Sequence, residues 1–348
     1  MGYTRVIVSR RGGAEVLETI TEQEQRPGPG QVLVRVLAAG VSFGDILLRV
    51  GVIPGGPKPP FTPGYDVTGV VQEVGPGVTR LRPGQRVVAL VREGGYTERL
   101  VVPEDRAVLL PDGIDPADAA AVALNYFVAY QMLHRVARVR EGQSILVHGA
   151  AGGVGTALLQ LAQLAKVQAF GTSSAGKADL VASLGAQHID YLAEDFMRVV
   201  KDRPENGVDA VFDPVGGTQF MRSYMSLRRG GFLVGYGQSQ AMQNGRPRRD
   251  LAVFGFVAGL FLPKLAPDGR RTTFYNAWSL EKKVPSAYQE DLAAVLDLLA
   301  TGAVKPVLSR TLPLAKASEA HQLLEAAAVT GKVVLRCDEA SEPVRSHP

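Results

Sequence analysis

A run of small residues, Gly149-Ala150-Ala151-Gly152-Gly153-Val154-Gly155, follows the apolar stretch Ser144 to His148 and opens the amphipathic stretch Val154 to Lys166. In a strand, glycine turn and helix of this kind, free N–H groups at the helix N-terminus meet an anionic phosphate. Glycines let the backbone approach a pyrophosphate, and the helix dipole turns its positive end toward it. The chemistry is dinucleotide binding, with Gly152, Gly153, Val154 and Gly155 as candidate contacts. A tight turn alone would explain the glycines but not the frame around them.

The next strand selects the cofactor. A ribose with a free 2′-hydroxyl is usually held by an Asp or Glu about 20 residues beyond the glycines. Here the strand Gln168 to Thr172 runs into Ser173 and Ser174, and the next charged residue after Lys166 is Lys177. Hydroxyls with a lysine suit a 2′-phosphate, through charge-assisted hydrogen bonds. Ser173 and Lys177 therefore point to NADPH; the other reading of Lys177 is a solvated helix residue. Two later strand ends, Asp213 to Gly217 and Gly235 to Gln238, add Gly216, Tyr236 and Gly237 as candidate cofactor contacts. Ordinary turns are the alternative there.

The rest of the chain must position these groups. Its 348 residues exceed what one core usually organises, which implies two domains. With 46% hydrophobic and 21% charged residues, disorder is excluded. A net charge of +4 with mixed signs, and only 7% aromatics, argue against a nucleic-acid partner. The single cysteine, Cys337, excludes an internal disulfide and a four-cysteine zinc site, and fits a reducing cytoplasm. Met1 to Arg11 lacks the apolar core of a secretory leader, and no apolar run makes a good membrane span.

The first third reads as short strands (Gln31 to Ala38, Asp66 to Val74, Gln85 to Leu90, Tyr96 to Val102) between Gly/Pro turns, a small barrel or sandwich. Pro54 to Pro63 is a proline-rich loop. Ala117 to Val136 has helical spacing. From Ser144 strands and helices alternate, as in βαβ units around a parallel sheet. Further strands are expected at Ala210 to Phe212, Phe232 to Val234 and Thr273 to Trp278. Tyr288 to Ala300 reads as a helix, Lys332 to Arg336 as a strand and Asp338 to Pro348 as a disordered tail.

Taken together, Pro27 to Val34, Gly40-Val41-Ser42-Phe43-Gly44-Asp45, Pro63-Gly64-Tyr65-Asp66, the Gly149 to Gly155 run, Asp213 to Gly217 and Gly331 to Leu335 resemble the medium-chain dehydrogenase/reductase superfamily. The resemblance is to its zinc-free quinone oxidoreductase (zeta-crystallin-like) branch and spans nearly the whole chain. Leu124 to Tyr130 is similar to the vesicle amine transport protein subgroup. The resemblance implies an α/β protein: a GroES-like β-rich catalytic domain (1–122 and 285–348) with an inserted Rossmann doubly wound domain (123–284), cofactor and substrate lying in the cleft. It implies that Tyr191 joins Ser173 and Lys177 near the adenine-side phosphate, and that the protein is a homodimer pairing Rossmann edges at Thr273 to Trp278. It also places Ser42, Asp45 and Tyr65 around the active cleft. Zinc-using relatives carry Cys and His where this chain has Ser42 and Tyr65, so no metal is expected. Many relatives have Asn in place of Ser42.

Without a Lewis acid, the chemistry expected is hydride transfer to a quinone or an α,β-unsaturated carbonyl, whose conjugated oxygen spreads the incoming charge. Tyr65 reads as an oxyanion donor or a pocket wall, and Asp45 as a structural acceptor before a catalytic acid. The alternative class is a weakly catalytic or non-catalytic NADPH-binding protein that engages lipid or a protein partner. Leu251 to Leu262 bears on that choice. It is apolar and flanked by Arg246, Arg248, Arg249, Lys264, Arg270 and Arg271. It reads as a helix packed beside the cofactor or as a peripheral membrane contact. The acid-free end of the second strand makes a direct prediction: steady-state kinetics favour NADPH over NADH, and equal or better kinetics with NADH would refute the 2′-phosphate reading.

Overall fold

The computed structural model describes residues 2–23, 25–53, 55–243 and 246–337. It divides into two compact units, Met1–Leu124 with Leu308–Pro348, and Asn125–Val307.

The first unit is built on a seven-stranded sheet. Its centre is Gln31–Val41, a strand of alternating and then continuous apolar residues buried along most of its length. This strand pairs antiparallel with Asp66–Val74, Arg99–Pro103 and Lys332–Arg336. The last of these pairs parallel with Leu308–Pro313. The C-terminal segment therefore completes a sheet begun by the first third. A separate hairpin joins Gly2–Val8 to Leu17–Gln23. Between Gln31–Val41 and Asp66–Val74 the chain forms the helix Phe43–Val50, which the sequence reading did not identify, closed by Gly51 in the left-handed conformation (φ 77°). Inside this unit Asp66 and Lys332 form a buried ion pair at 3.3 Å, and Asp66 also accepts from the N–H groups of Gly40 and Leu124.

The second unit holds a six-stranded parallel sheet. Ser144–His148 lies inside it, fully buried. On one side follow Gln168–Ser173 and Ala186–Asp190; on the other Val208–Asp213, Leu227–Gly235 and Arg271–Phe274. The chain reverses direction across the sheet between Ser144–His148 and Val208–Asp213, and ligands of such sheets bind at the carboxyl ends there. Leu146, Phe170, Val211, Phe220 and Leu233 form part of its core.

Several expectations shift. The edge strand is Arg271–Phe274, and Trp278 belongs to the following helix, Ala277–Lys283, capped by the Asn276 side chain. Residues 285–307, read from the sequence as part of the first domain, fall in the second unit. The helix Ala287–Ala300 is held there by Asp291, which accepts hydrogen bonds from Gln131 and Arg135. The expected tail Asp338 to Pro348 lies outside the described residues.

Breaking one side of a buried ion pair leaves an uncompensated charge. Lys332→Met should lower stability by about 3 kcal/mol, and adding Asp66→Asn should restore part of the loss. Urea unfolding followed by circular dichroism reads both.

Candidate functional site

In the second unit, the buried strand Ser144–His148 delivers the chain into a turn that only small residues can make. Gly149 adopts φ 62°, and Gly152 is the extended N-cap (φ −82°, ψ 176°) of the helix Gly153–Leu164. A Cβ on Gly155 would lie 2.3 Å from the Gly149 oxygen and 2.7 Å from Ala150 Cα. The first turn of the helix therefore packs directly on the loop before it. Gly152 has no side chain with which to cap, so the N–H groups of the first turn remain available to an anion. Behind this turn, Asn125 packs against Gly153, where a Cβ would stand 2.2 Å from Asn125 Nδ2.

The two later glycine turns lie at the carboxyl ends of the next strands in the same sheet. Gly216 and Gly217 are left-handed (φ 73° and 55°). Asp213 is buried and holds its own turn, accepting from the N–H groups of Val215 (2.7 Å) and Gly216 (3.1 Å) and from the Ser223 hydroxyl (2.6 Å). Its carboxylate is thereby occupied by protein donors. A Cβ on Gly237 would stand 2.5 Å from the Pro214 oxygen, so that turn also needs glycine. Burial, with Asp213 adding to it, pushes the Tyr236 phenol well above its ordinary range. His148 is buried with Nδ1 3.0 Å from Thr172 Oγ1 and its ring edge-on to Phe196, and burial pushes its pKa down. Burial thus favours its neutral form.

On the other side of the turn, Ser173 ends its strand and is buried. The Tyr191 N–H donates to the Ser173 oxygen at 3.3 Å, while Tyr191 as a residue is 57% exposed. Lys177 closes the short turn Ala175–Lys177 that follows. The structure thus brings Ser173 and Tyr191 together and sets Lys177 one turn beyond Ser173. Two neighbours escaped the sequence reading, because Ala186–Asp190 was not recognised as a strand. His188 Nε2 lies 3.0 Å from Ser173 Oγ, and Asp190 stands in register with Ser173. Asp190 Oδ1 accepts from the Leu192 N–H, which commits it to its own loop.

In the first unit, Ser42, Asp45 and Tyr65 come together around Asp45. Ser42 caps the helix Phe43–Val50 and forms a capping box with Asp45, the reason for their three-residue spacing. The Ser42 N–H and hydroxyl both donate to Asp45 Oδ2 at 2.9 Å, and the Gly64 N–H donates to Oδ1 at 2.8 Å. Tyr96, fully buried, donates its hydroxyl to Oδ2 at 3.2 Å. The Tyr65 ring packs over Gly44, where a Cβ would stand 2.9 Å from Cε2. Burial pushes Asp45 up to about 6, against the donors of Ser42 and Gly64 and the charge of Lys332. Burial also pushes the Tyr65 phenol well up, and the Asp45 and Glu93 charges add to this. Tyr96 was legible only as a strand residue; the signal available was that a buried tyrosine hydroxyl needs a partner.

Among the described residues no group of three His, Cys, Asp or Glu side chains is arranged to hold a metal ion. Cys337 is buried. No helix among them is long and apolar enough to cross a membrane.

The segment flanked by arginines is helical from Arg249–Phe254 through Gly255–Phe261 and Leu262–Leu265. Its inner face packs within the second unit: a Cβ on Gly255 would meet Gly217 N at 2.6 Å, and one on Gly259 would meet Phe220 Cβ at 2.4 Å. Its outer face exposes Val253, Phe254, Val257, Phe261 and Leu262. Arg248 pairs with Asp250, Arg270 with Asp268, and Arg271 lies over the Phe232 ring. The Arg246 side chain lies outside what is described.

Residues 28–112 match the alcohol dehydrogenase GroES-like domain, and residues 184–335 match a family described as zinc-binding dehydrogenase. The synaptic vesicle membrane protein VAT-1 homolog of Rattus norvegicus is 34% identical over 315 residues, which is 89% of this chain and 77% of that protein. A 2-haloacrylate reductase of Burkholderia sp. is 29% identical over 339 residues, covering 94% of this chain and 97% of that one. The structure of Escherichia coli quinone oxidoreductase complexed with NADPH superposes with a TM-score of 0.85 at 29% identity, over 96% of this chain and 99% of that one. With the glycine turn at the reversal point of a parallel sheet, and a GroES-like unit completed by the C-terminal strands, the chain belongs to the medium-chain dehydrogenase/reductase family.

Proposed function

We propose that this protein is a zinc-independent, NADPH-dependent oxidoreductase that reduces a quinone or an α,β-unsaturated carbonyl. The observation that carries the reading is the phosphate cradle: Gly152, Gly153, Val154 and Gly155 at a helix N-terminus, with Gly216, Tyr236 and Gly237 at the neighbouring strand ends. Ser173, Lys177 and Tyr191 take the 2′-phosphate end, where hydroxyls and a lysine follow the second strand. Asp190, in register with Ser173, accepts the Leu192 N–H of its own loop with Oδ1. The NADPH complex of the E. coli quinone oxidoreductase supports the same choice of cofactor.

When bound, NADPH supplies a hydride to the acceptor. The protein's own residues supply position and hydrogen bonds. Ser42, Asp45 and Tyr65 form the acceptor pocket. Tyr65 is a poor proton source, because burial and nearby carboxylates hold its phenol protonated. It remains a donor for the oxygen on which charge develops, and solvent provides the proton. The donor set does not suit zinc. The Ser42 hydroxyl is bonded to Asp45, and the Tyr65 phenol resists the deprotonation a ligand needs. An acceptor with a conjugated oxygen needs no such Lewis acid. Both the quinone oxidoreductase and the 2-haloacrylate reductase, by their names, fit electron-poor conjugated acceptors.

A second reading is favoured by the exposed apolar face of residues 249–265, in a chain similar to synaptic vesicle membrane proteins. There the protein binds NADPH, turns over weakly and engages a lipid surface.

Two experiments separate the readings. Purified protein offered quinones and enones should consume NADPH saturably, and Tyr65→Phe should lower kcat by about tenfold to a hundredfold as a hydrogen bond to the developing charge is lost. Full kcat in both Tyr65→Phe and Ser42→Ala would mean that catalysis is positional. Sedimentation with vesicles, with and without anionic lipid at low salt, tests the second reading. Binding that requires anionic lipid and is lost in Phe254→Ser supports it, and no binding ends it.

A further inference from the structure

Behind the pocket residues of the first unit runs a buried chain of polar groups that neither hydride transfer nor cofactor binding uses. Tyr96 Oη lies 3.1 Å from His321 Nε2, and His321 Nδ1 lies 2.9 Å from Arg49 Nη1. Arg49 also donates to the Gly12 oxygen at 3.1 Å and forms an ion pair with Glu325. The side chain of Arg49 is 0% exposed, and that of Glu325 is 27% exposed. Tyr96 and His321 are fully buried, their rings edge-to-face at 5.8 Å.

The hydrogens along this chain have one consistent direction. A guanidinium can only donate, so His321 Nδ1 accepts from Arg49. Burial and the Arg49 charge push His321 down to about 3, so the ring is neutral and carries its hydrogen on Nε2. That hydrogen goes to Tyr96 Oη, which leaves the tyrosine hydroxyl hydrogen for Asp45 Oδ2. Asp45 Oδ2 accepts the Ser42 hydroxyl as well. The donors thus run from the Arg49 cation toward the Asp45 carboxylate without a break.

We propose that Arg49, His321 and Tyr96 are positioning residues that hold the Asp45 carboxylate as a fixed acceptor and, through it, commit the hydroxyl hydrogen of Ser42. Ser42 then presents a lone pair to the pocket, not a proton, and the burden of donating to the substrate oxygen falls on Tyr65. The assignment rests on Ser42 and Tyr65 lining the acceptor pocket. The charged and titratable groups facing Asp45 are Tyr65, Tyr96 and Lys332, with Arg49 and Asp66 acting on Tyr96 from further along the chain.

The test is the carboxyl carbon signal of Asp45 in 13C-aspartate-labelled protein, titrated alongside the pH profile of kcat/KM for quinone reduction. A hydrogen bond to the charged form favours that form. Tyr96→Phe removes the hydroxyl and keeps the ring, so the Asp45 midpoint should rise by about one pH unit, a tenfold gain in proton affinity. The acid limb of kcat/KM should move with it. His321→Gln keeps a donor near Tyr96 but loses the contact to Arg49, and should shift the midpoint in the same direction by less. It carries the test alone if Tyr96→Phe does not fold. A purely structural role would lower the melting temperature and leave the midpoint in place, and that result overturns the proposal. If the wild-type protein turns over no acceptor, the reductase reading fails, and the carboxyl titration still decides the positioning chain.

Discussion

The second unit depends on one close approach. The Gly149 oxygen sits where a Cβ on Gly155 would be 2.3 Å away, so the helix Gly153–Leu164 can begin directly on top of the loop that leaves the central strand. That contact aims the helix N-terminus at the carboxyl edge of the sheet. A larger residue at Gly155 would push the helix out and move its N–H groups away from any phosphate. The neighbouring turns obey the same steric rule, with Gly237 against the Pro214 oxygen and Gly216 in the left-handed region. This edge of the sheet is therefore a run of backbone atoms brought close by the absence of side chains.

The first unit solves a different problem, because Ser42, Gly64 and Tyr96 surround the buried charge of Asp45. Burial alone would drive a proton onto Asp45, and its pKa rises to about 6. Donors from Ser42, Gly64 and Tyr96 oppose this and give the carboxylate one orientation. Satisfied buried polar networks of this kind rigidify what they touch, and half-satisfied ones are costly. Asp66 meets the same difficulty with a direct partner, Lys332, brought in by the C-terminal strand. The return of the chain to the first sheet thus adds two strands and also neutralises a charge that the first third alone would leave buried.

The exposed face of residues 249–265 sets the second unit apart from an ordinary globular surface. Soluble monomers rarely leave large contiguous apolar patches uncovered. Here the glycines Gly255 and Gly259 let the segment sit tightly on Gly217 and Phe220, and this close seating turns Val253, Phe254, Val257 and Phe261 outward. The flanking arginines are largely occupied by their own aspartates and aromatic rings. The apolar character of the patch is thus its stronger feature.

Much of this was legible in the amino-acid order. The strand, glycine turn and helix at Ser144 to Lys166 follow from local spacing and from the steric freedom of glycine, and the alternation after it requires a parallel sheet. The acid-free end of Gln168–Ser173 is likewise a local fact, as is the capping-box spacing of Ser42 and Asp45. Other features have no local signature. Asp45 and Tyr96 are 51 residues apart, and Arg49 and His321 are 272 apart. Asp190 and His188 reach Ser173 only because Ala186–Asp190 pairs beside it, and Ala287–Ala300 joins the second unit through Asp291. The sequence by itself determined the strand, glycine turn and helix at residues 144–166 and the alternation that builds the parallel sheet, since those depend on neighbours along the chain. Tertiary structure alone decided which buried polar groups satisfy one another, because burial removes water as a partner and makes distant residues supply the hydrogen bonds.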